Sequence, residues 1–309
     1  MPKLAFFTAG TIGAGHLARG IAIERALARV SSKAHFTIVG PPSPFTIADR
    51  PSCRAVAMDP MELYDHERAT TSQLAETLVA LAPDVLVVDM FWAPLLHVLP
   101  LLAPRTEAWL LVRKVPADWF TGPPGHRFDR AQYARILAIE PGLDGNVVDE
   151  VIDPIVLVRP EEAKPPGSLR RRLGLANDAP LVVVEHTGSV DEQNELVAHA
   201  HARMRTKAPL HVFTPSRRAE VANASTFEAT HHDGATFFPL AEWLGDADEI
   251  VTGAGYNAYW ETRLLGLDSR TVYLPFARPL DDQAWRVEAH RAFVPRDNGA
   301  DTLVKMLAL

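Results

Sequence analysis

A histidine stands at the end of a glycine-rich turn near the start of the chain. The segment FFTAGTIGAGHLARG passes from an apolar run through Gly10, Gly13 and Gly15 to His16, with Arg19 one helical turn later. Glycines allow a tight turn and a close approach to a ligand. A helix N-terminus favours an anion and disfavours a protonated imidazole, so His16 is a candidate neutral general base. The plain alternative is a polar cap, and Arg19 is either an anion ligand or a surface charge.

A carboxylate that could serve this histidine closes another apolar run. In VVDMFW, Asp89 stands where a buried strand would end. It could orient His16 as the acid of a catalytic triad does. It could equally cap a helix that begins near Pro94, and the pattern slightly favours the cap.

Three loops in the second half repeat the pattern of an apolar run, small or polar residues, and a helix. Backbone amides and hydroxyls in such loops can hold a diphosphate. The candidates are His186, Thr187, Gly188 and Ser189 in the first loop, Gly253, Gly255, Tyr256, Asn257 and Glu261 in the second, and Asp282 and Gln283 in the third.

Each of these residues also has an ordinary structural interpretation. Ser189 with Glu192 suits a helix cap, and so does the acidic helix start at Asp281 and Asp282. Tyr256 is expected first to pack in the core, and stacking on a base is the alternative. Glu261 is either an exposed helix residue or a carboxylate that accepts the hydroxyls of a ribose.

Composition excludes several classes of protein. The chain has 309 residues, 47% of them hydrophobic, and its net charge of 31 − 38 = −7 disfavours nucleic acid as the main partner. A single cysteine, Cys53, excludes a disulfide framework and a cysteine-rich metal site. No apolar run is long enough to cross a membrane, and the N-terminus does not suit a signal peptide. We expect a cytoplasmic protein, with peripheral association at the inner membrane face as an option; MFWAPLLHVLPLLAP is either an apolar surface for such contact or a core helix.

Apolar runs alternate with helical patterns along the whole chain. Runs such as LAFFTA, AHFTIVG, DVLVVD and EAWLLVRK lack polar alternation, which is typical of parallel strands covered on both faces. The proline-rich segment VRPEEAKPPGS interrupts them, and PLVVVEHTGS, PLHVFTPS, ATFFPL, DEIVTGAG and SRTVYLPF follow. This predicts two tandem doubly wound α/β domains, 1–158 and 168–309, facing a cleft, with the last helix packing back on the first domain.

Four motifs, in order, resemble a known family. GTIGAGHLARGIAIERAL, PDVLVVDMF, GAGYNAYWE and LPFARPLDDQAWR are similar to segments of the GT-B nucleotide-sugar glycosyltransferases, closest to the family-28 and peptidoglycan N-acetylglucosaminyltransferase type. The resemblance implies two Rossmann-like domains, an N-terminal acceptor domain and a C-terminal donor domain. It implies metal-independent inverting transfer of a hexose-like sugar to a small-molecule or lipid-linked hydroxyl acceptor, with a UDP-sugar as the expected donor and no cofactor.

The resemblance also assigns roles. It makes His16 the base, or at least a contact for sugar and acceptor; residues 186–189 would hold the diphosphate. Glu261 would bind the ribose, and Asp282 with Gln283 would contact the donor sugar; Asp282 stands where the family has glutamate. No metal site is expected; the adjacent His231 and His232 have no partner motif.

Three alternatives stay open at this point. A UDP-sugar hydrolase of the nonulosonic-acid type has a similar glycine–histidine turn, and there His16 would activate water. A non-catalytic nucleotide-sugar-binding subunit would bind ligand without turnover. A nicotinamide oxidoreductase is disfavoured, because the glycine spacing is not G-x-G-x-x-G and no acidic residue follows the second strand.

Overall fold

The structure is a computed structural model that describes residues 2–10, 14–31, 34–103, 105–122, 126–143, 147–203, 210–214 and 229–307. Within these ranges the chain forms two wholly parallel sheets, each covered by helices. The predicted α/β class is therefore confirmed.

The first sheet carries the N-terminal half of the chain. Its strands are β1 (Lys3–Phe7), β2 (His35–Gly40), β3 (Cys53–Ala55), β4 (Val85–Asp89), β5 (Glu107–Val112), β6 (Arg135–Ala138) and β7 (Glu150–Val151). They lie in the order β3-β2-β1-β4-β5-β6-β7. The direction of succession reverses between β1 and β4, which makes this point the topological switch of a doubly wound sheet.

The second sheet is smaller and repeats the same winding. Its strands are β8 (Val182–Glu185), β9 (Leu210–Thr214), β10 (Ala229–Asp233), β11 (Glu249–Gly253) and β12 (Thr271–Leu274). They lie in the order β10-β9-β8-β11-β12, so the switch falls between β8 and β11.

Helices cover both sheets and supply the turns that matter for the site. They are α1 (Gly15–Val30), α2 (Pro60–Leu63), α3 (His66–Thr70), α4 (Gln73–Leu81), α5 (Leu99–Leu102), α6 (Ser168–Leu173), α7 (Val190–Arg203), α8 (Tyr256–Leu264), α9 (Gln283–Ala289) and α10 (Gly299–Met306). Short 3-10 turns connect many of them. Helices α3 and α4 are separate, and Ser72 caps α4 by accepting from the amide of Ala75.

Strand β1 shows why the apolar runs lack polar alternation. Phe6 packs with α1 on one face of the sheet, and Ala5 and Phe7 pack in a second core on the other face. A parallel strand with helices on both sides must be apolar on both sides.

The apolar segment after Asp89 belongs to this second core. Trp92, Leu95, Val98, Leu99 and Leu102 are buried there. Their burial supports the core interpretation of this segment over an apolar surface. No helix in the described part of the chain is long and apolar enough to cross a membrane.

One predicted strand is wrong. The run ATFFPL, expected as a strand, begins with a 3-10 turn, Gly234–Phe237, and β10 is formed instead by the preceding residues ATHHD. Within the described ranges β10 is an edge strand paired with β9, so polar side chains are tolerated there. Phe237 is buried because it packs from the turn onto the core under the second sheet.

Contacts between the two halves of the chain are extensive. Helix α10 packs against α1 through Ala300, Leu303 and Val304, and Arg29 of α1 forms an ion pair of 2.8 Å with Asp301. The boundaries at 158 and 168 stay a prediction.

A buried ion pair joins α9 to the end of β6. Arg286 Nε donates to Glu140 Oε2 at 2.8 Å, and both side chains are fully buried. Trp260 also donates to Glu140, and Arg286 donates to the carbonyl of Ala254. Burial opposes ionisation of Glu140, but the Arg286 charge and hydrogen bonds outweigh it and lower the pKa of Glu140. The two halves of the chain are thus joined by a buried ion pair in which each charge offsets the cost of burying the other.

Replacing Arg286 with methionine should therefore be costly. Arg286→Met leaves the Glu140 carboxylate buried without its cation, which should lower the free energy of unfolding by about 3–5 kcal/mol. Urea denaturation monitored by far-UV circular dichroism measures the change. The exposed Arg291→Met is the matched control, and Arg286→Met combined with Glu140→Gln should recover part of the loss. A loss below about 1 kcal/mol for Arg286→Met would contradict this role.

Candidate functional site

A cavity lies where the carboxyl ends of the two sheets meet. The turns after β1 and β8 and the start of α8 line it, and its volume is about 230 Å³. A second cavity of about 570 Å³ adjoins it and shares Arg278, Asp281 and Gln283. Each sheet therefore presents its topological switch point to the same space, which is where open α/β sheets bind ligands.

His16, Arg19 and Asp89 form one buried group at this place. His16 is the second residue of α1, and its Nδ1 lies 2.8 Å from Asp89 Oδ2 and 2.7 Å from Arg19 Nη2. Arg19 donates to both carboxylate oxygens of Asp89, from Nε at 3.0 Å and from Nη2 at 2.9 Å. Arg19 is only 2% exposed and Asp89 is completely buried. Arg19 is thus not a surface charge, and the cap interpretation of Asp89 is wrong.

The charges in this group hold the carboxylate ionised and the imidazole neutral. Burial opposes the ionisation of Asp89, but Arg19 and His16 outweigh it and lower the pKa of Asp89 to about 2. Burial lowers the pKa of His16; Asp89 opposes this, while the nearby charges of Arg19 and Arg113 lower the pKa further. A neutral imidazole beside an ionised carboxylate is the resting state that a general base requires.

Two neighbours fix the His16 ring. A side chain at Gly10 would collide with the imidazole, so only glycine permits this packing. On another side the ring of Phe91 lies 5.0 Å away, centroid to centroid. Gly15 begins α1 and lines the cavity, and the Asn257 side chain donates to the carbonyl of Gly15 at 3.2 Å. Gly13 lies outside the described residues.

The loop after β8 is built around a carboxylate. Glu192 Oε2 accepts hydrogen bonds from the Ser189 amide at 2.8 Å and from Arg278 at 2.6 Å, and lies 3.0 Å from His186 Nε2. Burial opposes ionisation of Glu192, but these hydrogen bonds lower its pKa to about 2. A side chain at Gly188 would collide with the same atoms.

This arrangement is a capping box in which the anion is the carboxylate of Glu192 itself. Ser189 Oγ also accepts from the amide of Glu192 at 3.3 Å, as the capping alternative requires. His186, Thr187 and Gly188 line the main cavity, and Ser189 lies outside its lining. In this conformation Glu192 accepts from the amide of Ser189, one of the donors that the family resemblance predicts for a diphosphate.

The turn after β11 contributes the largest group of predicted residues. Gly253, Gly255, Tyr256, Asn257 and Glu261 all line the cavity. The Tyr256 hydroxyl donates to the carbonyl of Ile139 and accepts from the amide of Ile155, so its polar atom is used for packing.

Glu261 is buried rather than exposed on its helix. Its side chain is 5% exposed, and Oε1 accepts from the amide of Leu157 at 3.2 Å. Burial and the charge of Glu185 raise the pKa of Glu261 to about 8.

The two acidic residues of the loop before α9 have different roles. Asp282 caps α9 by accepting from the amide of Trp285, and it faces the adjoining cavity rather than the main one. Asp281 lines the main cavity and pairs with Arg113 and Arg286. Gln283 is buried, lines both cavities and accepts from the amide of Phe276.

Sequence reasoning missed three charged residues of the cavity lining. They are Arg113 after β5, Glu185 at the end of β8 and Arg278 before α9. Arg113 and Glu185 are charged residues at the ends of apolar strands, and that signal was available in the sequence. Within the described ranges no group of three or more His, Cys, Asp or Glu side chains is arranged to hold a metal ion.

Comparison with known proteins identifies the fold. No family model matches the sequence, and no curated protein sequence matches it. Solved structures do match along nearly the whole chain. The spinosyn rhamnosyltransferase SpnG complexed with thymidine diphosphate covers 100% of this chain and 92% of its own, with a TM-score of 0.58 at 16% identity.

Two further solved structures match over a similar extent. The S. aureus MnaA–UDP co-structure covers 100% of this chain and 88% of its own, with a TM-score of 0.55 at 11% identity. The UDP-GlcNAc 2-epimerase from Methanocaldococcus jannaschii covers 99% of each chain, with a TM-score of 0.53 at 10% identity. The chain therefore has the GT-B fold, which glycosyltransferases and UDP-GlcNAc 2-epimerases share.

The raised pKa of Glu261 predicts a specific pH dependence of stability. An unfolded glutamate titrates near pH 4.3 and folded Glu261 near 8, so between these values the folded chain binds more protons. Its contribution to the free energy of unfolding must then fall as pH rises, by at most about 1.4 kcal/mol per pH unit. Glu261→Gln removes this contribution.

Urea denaturation at pH 5, 6.5 and 8 measures the effect. Relative to the wild type, Glu261→Gln should be more stable at pH 8 than at pH 5, while the exposed Glu195→Gln should follow the wild-type profile. Parallel profiles for Glu261→Gln and the wild type would show that this carboxyl titrates normally.

Proposed function

We propose that this protein is an inverting glycosyltransferase that moves a sugar from a nucleoside-diphosphate sugar, with UDP as the expected nucleotide, to a hydroxyl group of an acceptor. The observation that carries the proposal is the His16–Asp89 pair at the cavity shared by both sheets. The GT-B fold, used by nucleotide-sugar enzymes, agrees with it.

In the proposed reaction Nδ1 of His16 donates to Asp89, and Arg19, whose Nη2 lies 2.7 Å from the same nitrogen, donates to the carboxylate alone. The imidazole carries its proton on Nδ1 and donates it to the carboxylate, which leaves Nε2 free to accept a proton. Nε2 takes the proton of the acceptor hydroxyl, the oxygen attacks the anomeric carbon, and the bond from that carbon to the diphosphate breaks. The nucleoside diphosphate leaves with the bonding electrons, and the anomeric configuration inverts.

Charged groups near the cavity would stabilise the leaving diphosphate. Arg113 and Arg278 line the cavity, and the amides of residues 187–189 and the N-terminus of α8 adjoin it. Glu261 would accept hydroxyl groups of the ribose, and Gln283 with Asp282 would contact the donor sugar.

Ligand binding is the first test. A thermal-shift panel with UDP, GDP, ADP and TDP should give a stabilisation of about 2.7 kcal/mol for the correct nucleotide at 100 times its dissociation constant. The shift should disappear in Glu261→Ala. No shift with any of the four would refute the donor site.

Turnover then tests the base. With the nucleotide sugar so identified, His16→Gln should lower kcat by about 10²–10⁴-fold while nucleotide affinity changes little. His35→Gln, an exposed histidine on β2, is the matched control. Unchanged kcat in His16→Gln would show that His16 is not the base, while nucleotide-sugar binding without turnover in the wild type would favour the non-catalytic binding subunit.

Product analysis separates the related reactions. Without an acceptor, a hydrolase releases free sugar, and in that reaction His16 would activate water. Epimerisation is included because the M. jannaschii UDP-GlcNAc 2-epimerase matches over 99% of both chains. Release of nucleoside diphosphate that depends on an added hydroxyl acceptor supports transfer. Nuclear magnetic resonance of the sugar distinguishes the three products.

The position of Glu192 predicts a gain in affinity on removal of its charge. Its carboxylate competes with a diphosphate for Ser189, His186 and Arg278. Glu192→Gln should therefore bind the nucleoside diphosphate up to about 10-fold more tightly, since hydrogen bonds to a charged group contribute about 1.5–3 kcal/mol.

Isothermal titration calorimetry with the diphosphate and with the corresponding nucleoside measures this. Affinity for the nucleoside, which has no phosphate, should stay unchanged, and Glu195→Gln on the same helix should change neither. Weaker diphosphate binding by Glu192→Gln would mean that Glu192 supports the loop instead of competing with the ligand.

A further inference from the structure

Glu185 is a buried acceptor to which the proposed mechanism gives no task. It is the last residue of β8, where it pairs in register with Thr252 of β11, and it lines the main cavity. The residue keeps some solvent exposure, but its Oε2 is buried and has no hydrogen-bond partner among the described residues. A buried oxygen without a partner is costly, so such an atom at a cavity points to a ligand.

Glu261 lines the same cavity, and one of its oxygens is already engaged. Its Oε1 accepts from the amide of Leu157. The charge of Glu185 raises the pKa of Glu261, so these two carboxyls of the cavity lining interact electrostatically. Burial alone raises the pKa of Glu185 to about 7.

No cation among the described residues forms an ion pair with either carboxyl. Arg25 of α1 is the positive charge that acts on Glu261, but its guanidinium pairs with Glu242 and Glu162. His186, next in the chain to Glu185, lies against Glu192. The two carboxyls are thus left for a ligand that brings hydrogen-bond donors.

The wall around these carboxyls suits a nucleoside. Phe213, Phe238 and Leu240 line the same cavity and offer apolar surface to a base. A ribose carries two adjacent hydroxyl donors, and the carboxyls supply one acceptor oxygen from Glu185 and one from Glu261.

We propose that Glu185 and Glu261 together bind the vicinal diol of a ribonucleoside, each accepting one hydroxyl, so that Glu185 makes the site select ribonucleotides over deoxyribonucleotides. This inference rests on the proposed function, because it assumes that the cavity takes a nucleoside diphosphate. A ligand without one hydroxyl leaves one buried carboxyl oxygen unpaired, and sites built to bind a hydroxyl reject such analogues strongly.

The test measures affinities with analogues that lack one hydroxyl. Isothermal titration calorimetry is carried out on the wild type with UDP, GDP and ADP and with the 2′-deoxy and 3′-deoxy forms of each. The ribonucleotide that binds should do so about 10- to 100-fold more tightly than either deoxy form, because a missing hydroxyl leaves one buried acceptor unpaired. Glu185→Met should lose the discrimination against one deoxy form and keep it against the other.

Two variants separate recognition from packing. Glu185→Gln keeps an acceptor oxygen and should retain most of the discrimination, while Glu195→Met changes an exposed glutamate and should have no effect. If Glu185→Met keeps both ratios, or loses both together, the inference is overturned while the proposed function stands. If no nucleoside diphosphate binds the wild type, the proposed function fails first and this inference fails with it.

Discussion

The ionised carboxylate of Asp89, buried between the arginine and the histidine of α1, is the interaction on which the site depends. A carboxylate completely out of water is tolerable only with a cation and hydrogen bonds, and Arg19 supplies both from one helical turn beyond His16. This pairing brings the end of β4 to the start of α1, on the two sides of the switch in the first sheet. It also limits His16 to one orientation, because the remaining space around its ring is taken by Gly10 and Phe91.

A second set of buried charges brings the other sheet to this histidine. Arg113 follows β5 and pairs with Asp281, Asp281 pairs with Arg286, and Arg286 pairs with Glu140 after β6. Positive and negative side chains alternate along this series of ion pairs, so each charge is compensated by a partner from another segment of the chain. The same network places Asp281 in the lining of the cavity. The ion pairs that join the two halves of the chain therefore also position residues of the cavity lining.

The sequence predicts those features that depend on neighbouring residues. Apolar runs such as VVVE identify the strands, and the glycine turn predicts that a helix starts near His16. Features that depend on distant residues are harder to predict. Asp89 looked like a cap because its partners stand about 70 positions earlier in the chain. The edge strand β10 was not predicted, because an edge strand tolerates polar residues and so lacks an apolar run. The burial of Glu261 was not predicted either, because helical spacing alone does not show which face of α8 is covered.

The tautomer and pKa of His16 test the account most directly. ¹⁵N nuclear magnetic resonance of histidine-labelled protein, with His16→Gln to assign the signal, reports both across a pH titration. The account predicts a pKa below the usual 6.5 and, at pH 7, a neutral ring with its proton on Nδ1 toward Asp89. A ring that is protonated at pH 7, or one that carries its proton on Nε2 while Nδ1 accepts from Arg19, would contradict the role of His16 as the base.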